Sequence, residues 1–376
     1  MARSRRPGTP PALTIEAAPA YELLHSIAVV LDTDDADTLD IGPAWLDEAR
    51  ARAGEDLVAR LRAVSFDDTD TFRHLLGLAY DSPAPRDVAA FLGHLRETDP
   101  QEIKLHLVGF YARETRRMTP TATIRAAIGG DARAVDEFLR TSHPEWEPWT
   151  EYLRAVLAAD DTWLKDELVA CLEAWVDRVW KAESLTIMPI LERDAEAKRE
   201  LQRKLPLDRF VTTATNGVEF APRPGVDRVA LVPSFLQRPL VSHVEYGDVI
   251  IIVYPVADES VTAETDAPPL RLVRLSKALG DEKRLRVLRA LAEGEKTLME
   301  LADMFGVAKT TMHHHMIVLR SAGLVTVGVG SKRYRLRHET VPDVGALLSG
   351  YLGAASDASA PSRPAGSGTR AAGDRR

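Results

Sequence analysis

"TLMELADMFGVAKTTMHHHMIVLRSAGLV", Thr297 to Val325, decides the fold of the C-terminal part of this chain. Leu298, Leu301 and Ala302 are spaced for a short helix that stops at Gly306, and a new helical pattern begins near Lys309 and stops at Gly323. Glycine commonly follows the last helical residue because it enters the left-handed region without a Cβ clash. A short helix, a glycine turn and an amphipathic helix make a helix-turn-helix, whose second helix lies in the DNA major groove. On a wheel of about 100° per residue, Met312, Met316 and Leu319 share the core side, with His315 at its edge. Thr310, His313, His314 and Ile317 project the opposite way, toward a duplex.

The run His313 to His315 invites a metal reading. Three adjacent side chains fan over about 200° of helix, whereas a metal needs ligands that converge, usually at i, i+3 or i, i+4. No metal and no other cofactor is expected, and His315 is expected to hold the helix against its own domain.

Upstream, in "LSKALGDEKRLRVLRALAEG" (Leu275 to Gly294), Asp281 is placed to cap a helix with Leu285, Val287, Leu288 and Leu291 on its apolar face. Downstream, "LVTVGVGSKRYRLRHE" alternates β-type residues around a glycine-rich tip, and the return strand carries Lys332, Arg333, Arg335 and Arg337. Such a wing suits phosphate contact, with an affinity that falls as salt rises because counterions are released. Charge is segregated to match. Residues 1–270 carry 30 Lys and Arg against 46 Asp and Glu, residues 271–376 carry 18 against 10, and so only the C-terminal part calls for a polyanionic partner.

The fold expected is mainly α: a helical N-terminal domain with a small β-sheet or hairpin, then a winged helix-turn-helix. Residues 1–11 read as a disordered arm, 12–256 as the body, 257–270 as a linker, 271–353 as the winged helix and 354–376 as a disordered tail. Within the body, helical spacing runs from Tyr21 to Leu205, "ALTIEA" (Ala12 to Ala17) reads as a strand, and Tyr246 to Val249 offers a tight turn between two β-rich runs. The single cysteine, Cys171, excludes an internal disulfide and sits among Leu168, Leu172 and Trp175 as a core residue. The longest apolar run, "VIIIVYPV", falls short of the roughly 20 residues a membrane-spanning helix requires, so a cytoplasmic protein is expected.

From Leu272 to Leu336 the chain resembles the winged-helix domain of the ArsR/SmtB transcriptional regulators, through "GDEKRLRVL", "HHMIVLRSAGLV" and "GSKRYRL" in the family's order and spacing. "VALVPSFLQRPL" with "YGDVIIIVYPV" is similar to the N-terminal extension of some actinobacterial members. The resemblance implies a homodimer that binds an inverted repeat in double-stranded promoter DNA, usually as a repressor. It implies base-edge contacts for Lys309, Thr310, His313 and His314, a phosphate contact for Thr311, and wing contacts for Lys332 and Arg333, with Arg335 beside them. Two departures stand out: Ala308 occupies the position usually capped by serine, and Ile317 replaces the usual lysine, offering an apolar contact to a thymine methyl. The family's metal-ligand positions are not matched, since "EKTLMEL" lacks the cysteine pair and the last helix, Val341 to Leu352, offers only Asp343. That last helix, with Val344, Leu347, Leu348, Tyr351 and Leu352, is implied to form the dimer interface.

No P-loop, dinucleotide glycine fingerprint, HExxH or GxSxG is present, and an enzyme is not expected. His25, His74, His94, His106 and His143 are scattered and read as surface or hydrogen-bonded histidines. The alternative function for the body is a small-molecule or protein-partner module, with Trp146, Trp149, Trp163, Trp175 and Trp180 as pocket, contact or core residues.

Overall fold

The computed structural model describes residues 10–32, 38–143, 147–261, 269–328, 332–340 and 343–358. The chain is mainly α with two small sheets. In the body, the helix Pro19–Leu31 is apolar nearly all round and is buried from Ala20 to Leu31, as an all-round apolar pattern requires. Of its polar groups, Glu22 accepts from the backbone N–H of Phe235 and Leu236 and Ser26 accepts from Trp175 Nε1 at 2.8 Å, whereas His25, read as a surface or hydrogen-bonded histidine, is fully buried with neither ring nitrogen bonded to a described residue. Cys171 is buried in the same core, Trp149, Trp175 and Trp180 are core residues, and Trp163 is exposed. Trp146 lies outside the described residues.

The body's sheet runs β1 (Ala12–Ile15), β3 (Arg228–Ser234), β5 (Val249–Pro255) and β4 (Ser242–Tyr246) in spatial order. β1, β3 and β5 are parallel, and β4 returns antiparallel through the turn at Gly247 (φ +60°). Successive strand residues point to opposite faces, so β3 and β5 feed two cores. Ala230, Val232, Ile251 and Val253 join the helical core, while Val229, Leu231, Ile250 and Ile252 meet Phe210 and Val211 on the other side. The hairpin was legible in the sequence; the parallel pairing with β1 was not.

The C-terminal head has its own core of Leu275, Val287, Leu291, Leu301, Met312, Met316 and Leu319. Its helices are Leu270–Leu279, Glu282–Ala292, Leu298–Phe305, Lys309–Ser321 and Asp343–Ala358. Its sheet contains β6 (Lys296–Thr297), β7 (Val325–Gly328) and β8 (Arg333–Leu336). A fourth strand in that sheet comes from the body: β2 (Val218–Glu219) pairs in parallel with β7. Two expected boundaries shift. Ala257 to Val261, read as the start of a linker, is seated on the body, because Asp194 accepts from Ala257 N and Ser260 Oγ, and Arg193 donates to Ser260 O. The last helix continues past Gly353 to Ala358; residues 262–268 of the expected linker and 359–376 of the expected tail lie outside the described residues.

Candidate nucleic-acid interface

The reading helix Lys309–Ser321 is built from its termini inward. The preceding helix opens with a capping box, in which Thr297 Oγ1 accepts from Glu300 N and the Glu300 carboxylate accepts from Thr297 N. Gly306 (φ +62°) ends that helix and Gly323 (φ +71°) follows the reading helix. Upstream, Asp281 caps Glu282–Ala292 by accepting from Arg284 N at 2.9 Å, and this hydrogen bond holds its carboxyl below the usual range. Ala308 gives the reading helix no side-chain cap, which leaves its first N–H groups to other acceptors.

Met312, Met316 and Leu319 face the head core, and His315 is buried beside them, its imidazole kept neutral chiefly by burial. The remaining surface is divided. Lys309, Thr310, Thr311, His313 and His314 are exposed to solvent. Lys309, His313 and Arg320, which fall within about 40° on the helical wheel, line a cavity shared with the body. Ile317 corrects the sequence reading: only 6% exposed, it joins the body's apolar cluster instead of meeting a thymine methyl. The wheel placed it outside the head core, as found, but could not show which surface covers it.

The wing cations also touch carboxylates. Lys332 Nζ lies 2.8 Å from Glu114 Oε2, Arg333 Nη1 donates to Glu295 O at 3.2 Å and lies 3.5 Å from Glu300, and Arg335 pairs with Glu295 and with Glu219. Glu114 and Glu219 belong to the body. Glu219 also accepts from Thr326 Oγ1 at 2.9 Å, and Arg320 Nη2 donates to Val241 O at 2.8 Å. On the first helix of the head, Arg274 meets Asp40 and Asp258. The body therefore clasps the head along one side of the reading helix and along the wing. Sequence reading missed Glu114, Glu219 and Arg320, because nothing local marks a two-residue strand or a contact across the chain.

Among the described residues no three His, Cys, Asp or Glu side chains are grouped to hold a metal ion, and no helix is long and apolar enough to cross a membrane. His74 and His106, read as surface or hydrogen-bonded, instead line the shared cavity with no hydrogen-bond partner for either imidazole among the described residues.

Residues 281–327 match the family model of the bacterial regulatory protein, arsR family. No curated protein and no solved structure matches the chain. On the geometry above, that match identifies the head as an ArsR-type helix-turn-helix unit, and the activity class it defines is DNA-binding regulation of transcription.

Proposed function

We propose that the protein is a dimeric repressor, not an enzyme or a metal sensor, and that it reads an inverted repeat in double-stranded DNA through the helix Lys309–Ser321. The observation that carries this reading is the exposed strip of Thr310, Thr311 and His314, beginning at an uncapped helix N-terminus on a module of the arsR type. Hydroxyl and imidazole groups there are suited to base edges and phosphates, while Lys332, Arg333 and Arg335 on the wing supply sequence-independent affinity. A second copy of the chain is favoured by the apolar surface of the last helix, where Leu348 and Leu352 are about half exposed while Leu347 packs on the head core.

We read the arrangement in the structure as a closed one that opens before a duplex is held. Lys309 and His313 face the body across a cavity far smaller than a double helix, and Ile317 is covered, so reading the major groove requires the body to swing off that side of the head. Selection of bound fragments from genomic DNA by the purified protein tests the assignment. Half-sites one helical turn apart, roughly 34 Å, are expected, and Thr310→Ala and His314→Ala should change the selected sequence. Unchanged selectivity in both variants would place the reading surface elsewhere.

A further inference from the structure

The cavity between body and head measures about 1260 Å³, above the usual range of about 300–1,000 Å³ for small-molecule sites. Its body wall carries two ring clusters. His74 stacks on Trp149 (5.7 Å between centroids), and His106 stacks on Tyr246 (5.3 Å) with Tyr111 at 4.6 Å from each. Gly77 permits the second cluster, since a Cβ there would stand 2.6 Å from Tyr246 Cδ2 and 3.2 Å from His106 Cε1. His106 is only 4% exposed, yet neither its imidazole nor that of His74 or of the cavity-lining His243 hydrogen-bonds to any described residue. Burial lowers the His74 and His106 imidazoles, His106 to about 3, so the His106 ring is neutral at physiological pH and offers one donor and one acceptor.

The charges at the cavity are unequal. Its carboxylates are engaged: Glu245 with Arg223, Glu114 with Lys332, Asp70 with Arg73, and Asp68 with the backbone N–H of Asp70. Arg117 on the body and Lys309 on the reading helix have no carboxylate at ion-pair distance among the described residues. An apolar, ring-lined chamber with unused imidazole hydrogen bonds and two spare cations has the complement of one ligand chemistry.

We infer that this cavity binds an aromatic organic anion, its ring system against the His106, Tyr111 and Tyr246 cluster and its carboxylate or sulfonate toward Arg117 and Lys309. Because the two walls belong to body and head, such a ligand binds the closed arrangement better than the open one and shifts the population toward it. Bound ligand thus weakens DNA binding. This regulatory consequence rests on the proposed DNA reading, whereas the binding site does not.

The full chain titrated with 8-anilinonaphthalene-1-sulfonate, and in parallel with uncharged 1-anilinonaphthalene, tests the site through probe fluorescence. One saturable site per chain is expected, with the anion bound about tenfold more tightly than its neutral parent. Arg117→Glu, on the exposed rim, should weaken the anion about tenfold. His106→Phe preserves the ring stack and should weaken it about fivefold, the loss of one hydrogen bond. Binding unchanged in both variants would put the probe on exposed apolar surface such as Leu348 and Leu352 and overturn the site, as would equal affinities for the two probes. A chain that binds duplex but shows no saturable probe site refutes the inference alone; one that saturates with probe and binds no duplex refutes the DNA reading alone. With both intact, saturating anion must lower duplex affinity, and unchanged affinity overturns the coupling.

Discussion

Replacing Ile317 by alanine separates the two roles this residue could have. In the closed arrangement its side chain is 6% exposed and packed in the body's apolar cluster. Once the body swings away, the same side chain lies on the head's surface, so its truncation costs the closed state and leaves the open state nearly untouched. Burying an isoleucine side chain is worth about 1.5–3 kcal/mol. Of this, alanine retains a small part, and a loss of about 2 kcal/mol shifts the closed–open ratio by roughly 30-fold. Where the free chain is mostly closed, the apparent dissociation constant for DNA is the intrinsic one divided by the open fraction. Ile317→Ala should then tighten duplex binding, by up to about 30-fold. Fluorescence anisotropy of a labelled selected duplex, at one fixed salt concentration, reads the change. A weaker complex would show that Ile317 contacts DNA in the way its position on the wheel first suggested, and the clasp would lose its main apolar element.

Further consequences concern stability, pH and the wing. Asp281→Ala removes a side-chain cap and should cost the head about 1 kcal/mol, measured by chemical denaturation. The Asp281 carboxyl is held below its usual value in the folded head, so its contribution is fully present above about pH 4 and is lost as pH falls through the depressed value. Asp281→Asn should keep the cap yet lose this acid-sensitive increment in melts between about pH 5 and pH 2, and an identical acid response in both proteins would refute the assignment. Arg333→Ala should weaken binding to all duplexes similarly and reduce the salt slope by about one, read from titrations at several salt concentrations. Gly77→Ala drives a methyl into Tyr246 and should destabilise the body by about 1–3 kcal/mol while displacing the ring cluster, seen as a change in near-ultraviolet circular dichroism.

The head was legible because its signals are local. Asp281 caps where a capping side chain ahead of an apolar stripe placed a helix start, Gly306 and Gly323 stop two helices, and Met312, Met316 and Leu319 turn inward as their spacing demands. What escaped the sequence is pairing between distant surfaces. An apolar residue outside the core stripe, such as Ile317, reads the same whether DNA or another part of the chain covers it. Glu219 meets Arg335 across 116 positions, and β2 is two residues long; neither carries a periodicity. His74 and His106 looked scattered because only the packing of separate helices brings them to one cavity. Helix-period tryptophans were readable as core, but not that Trp149 would stand at the cavity wall while Trp163 faces solvent.

The central claim is that the helix Lys309–Ser321 reads DNA and that the body controls access to it. Val218 and Val327 are register partners across β2 and β7, and neighbouring strands about 4.8 Å apart lie within disulfide reach. Val218→Cys combined with Val327→Cys therefore locks body to head on oxidation, with Cys171 buried away from the exchange. Duplex affinity measured on the oxidised double variant should be lost and should return on reduction with dithiothreitol. Equal affinity in the locked and reduced forms would contradict the claim directly.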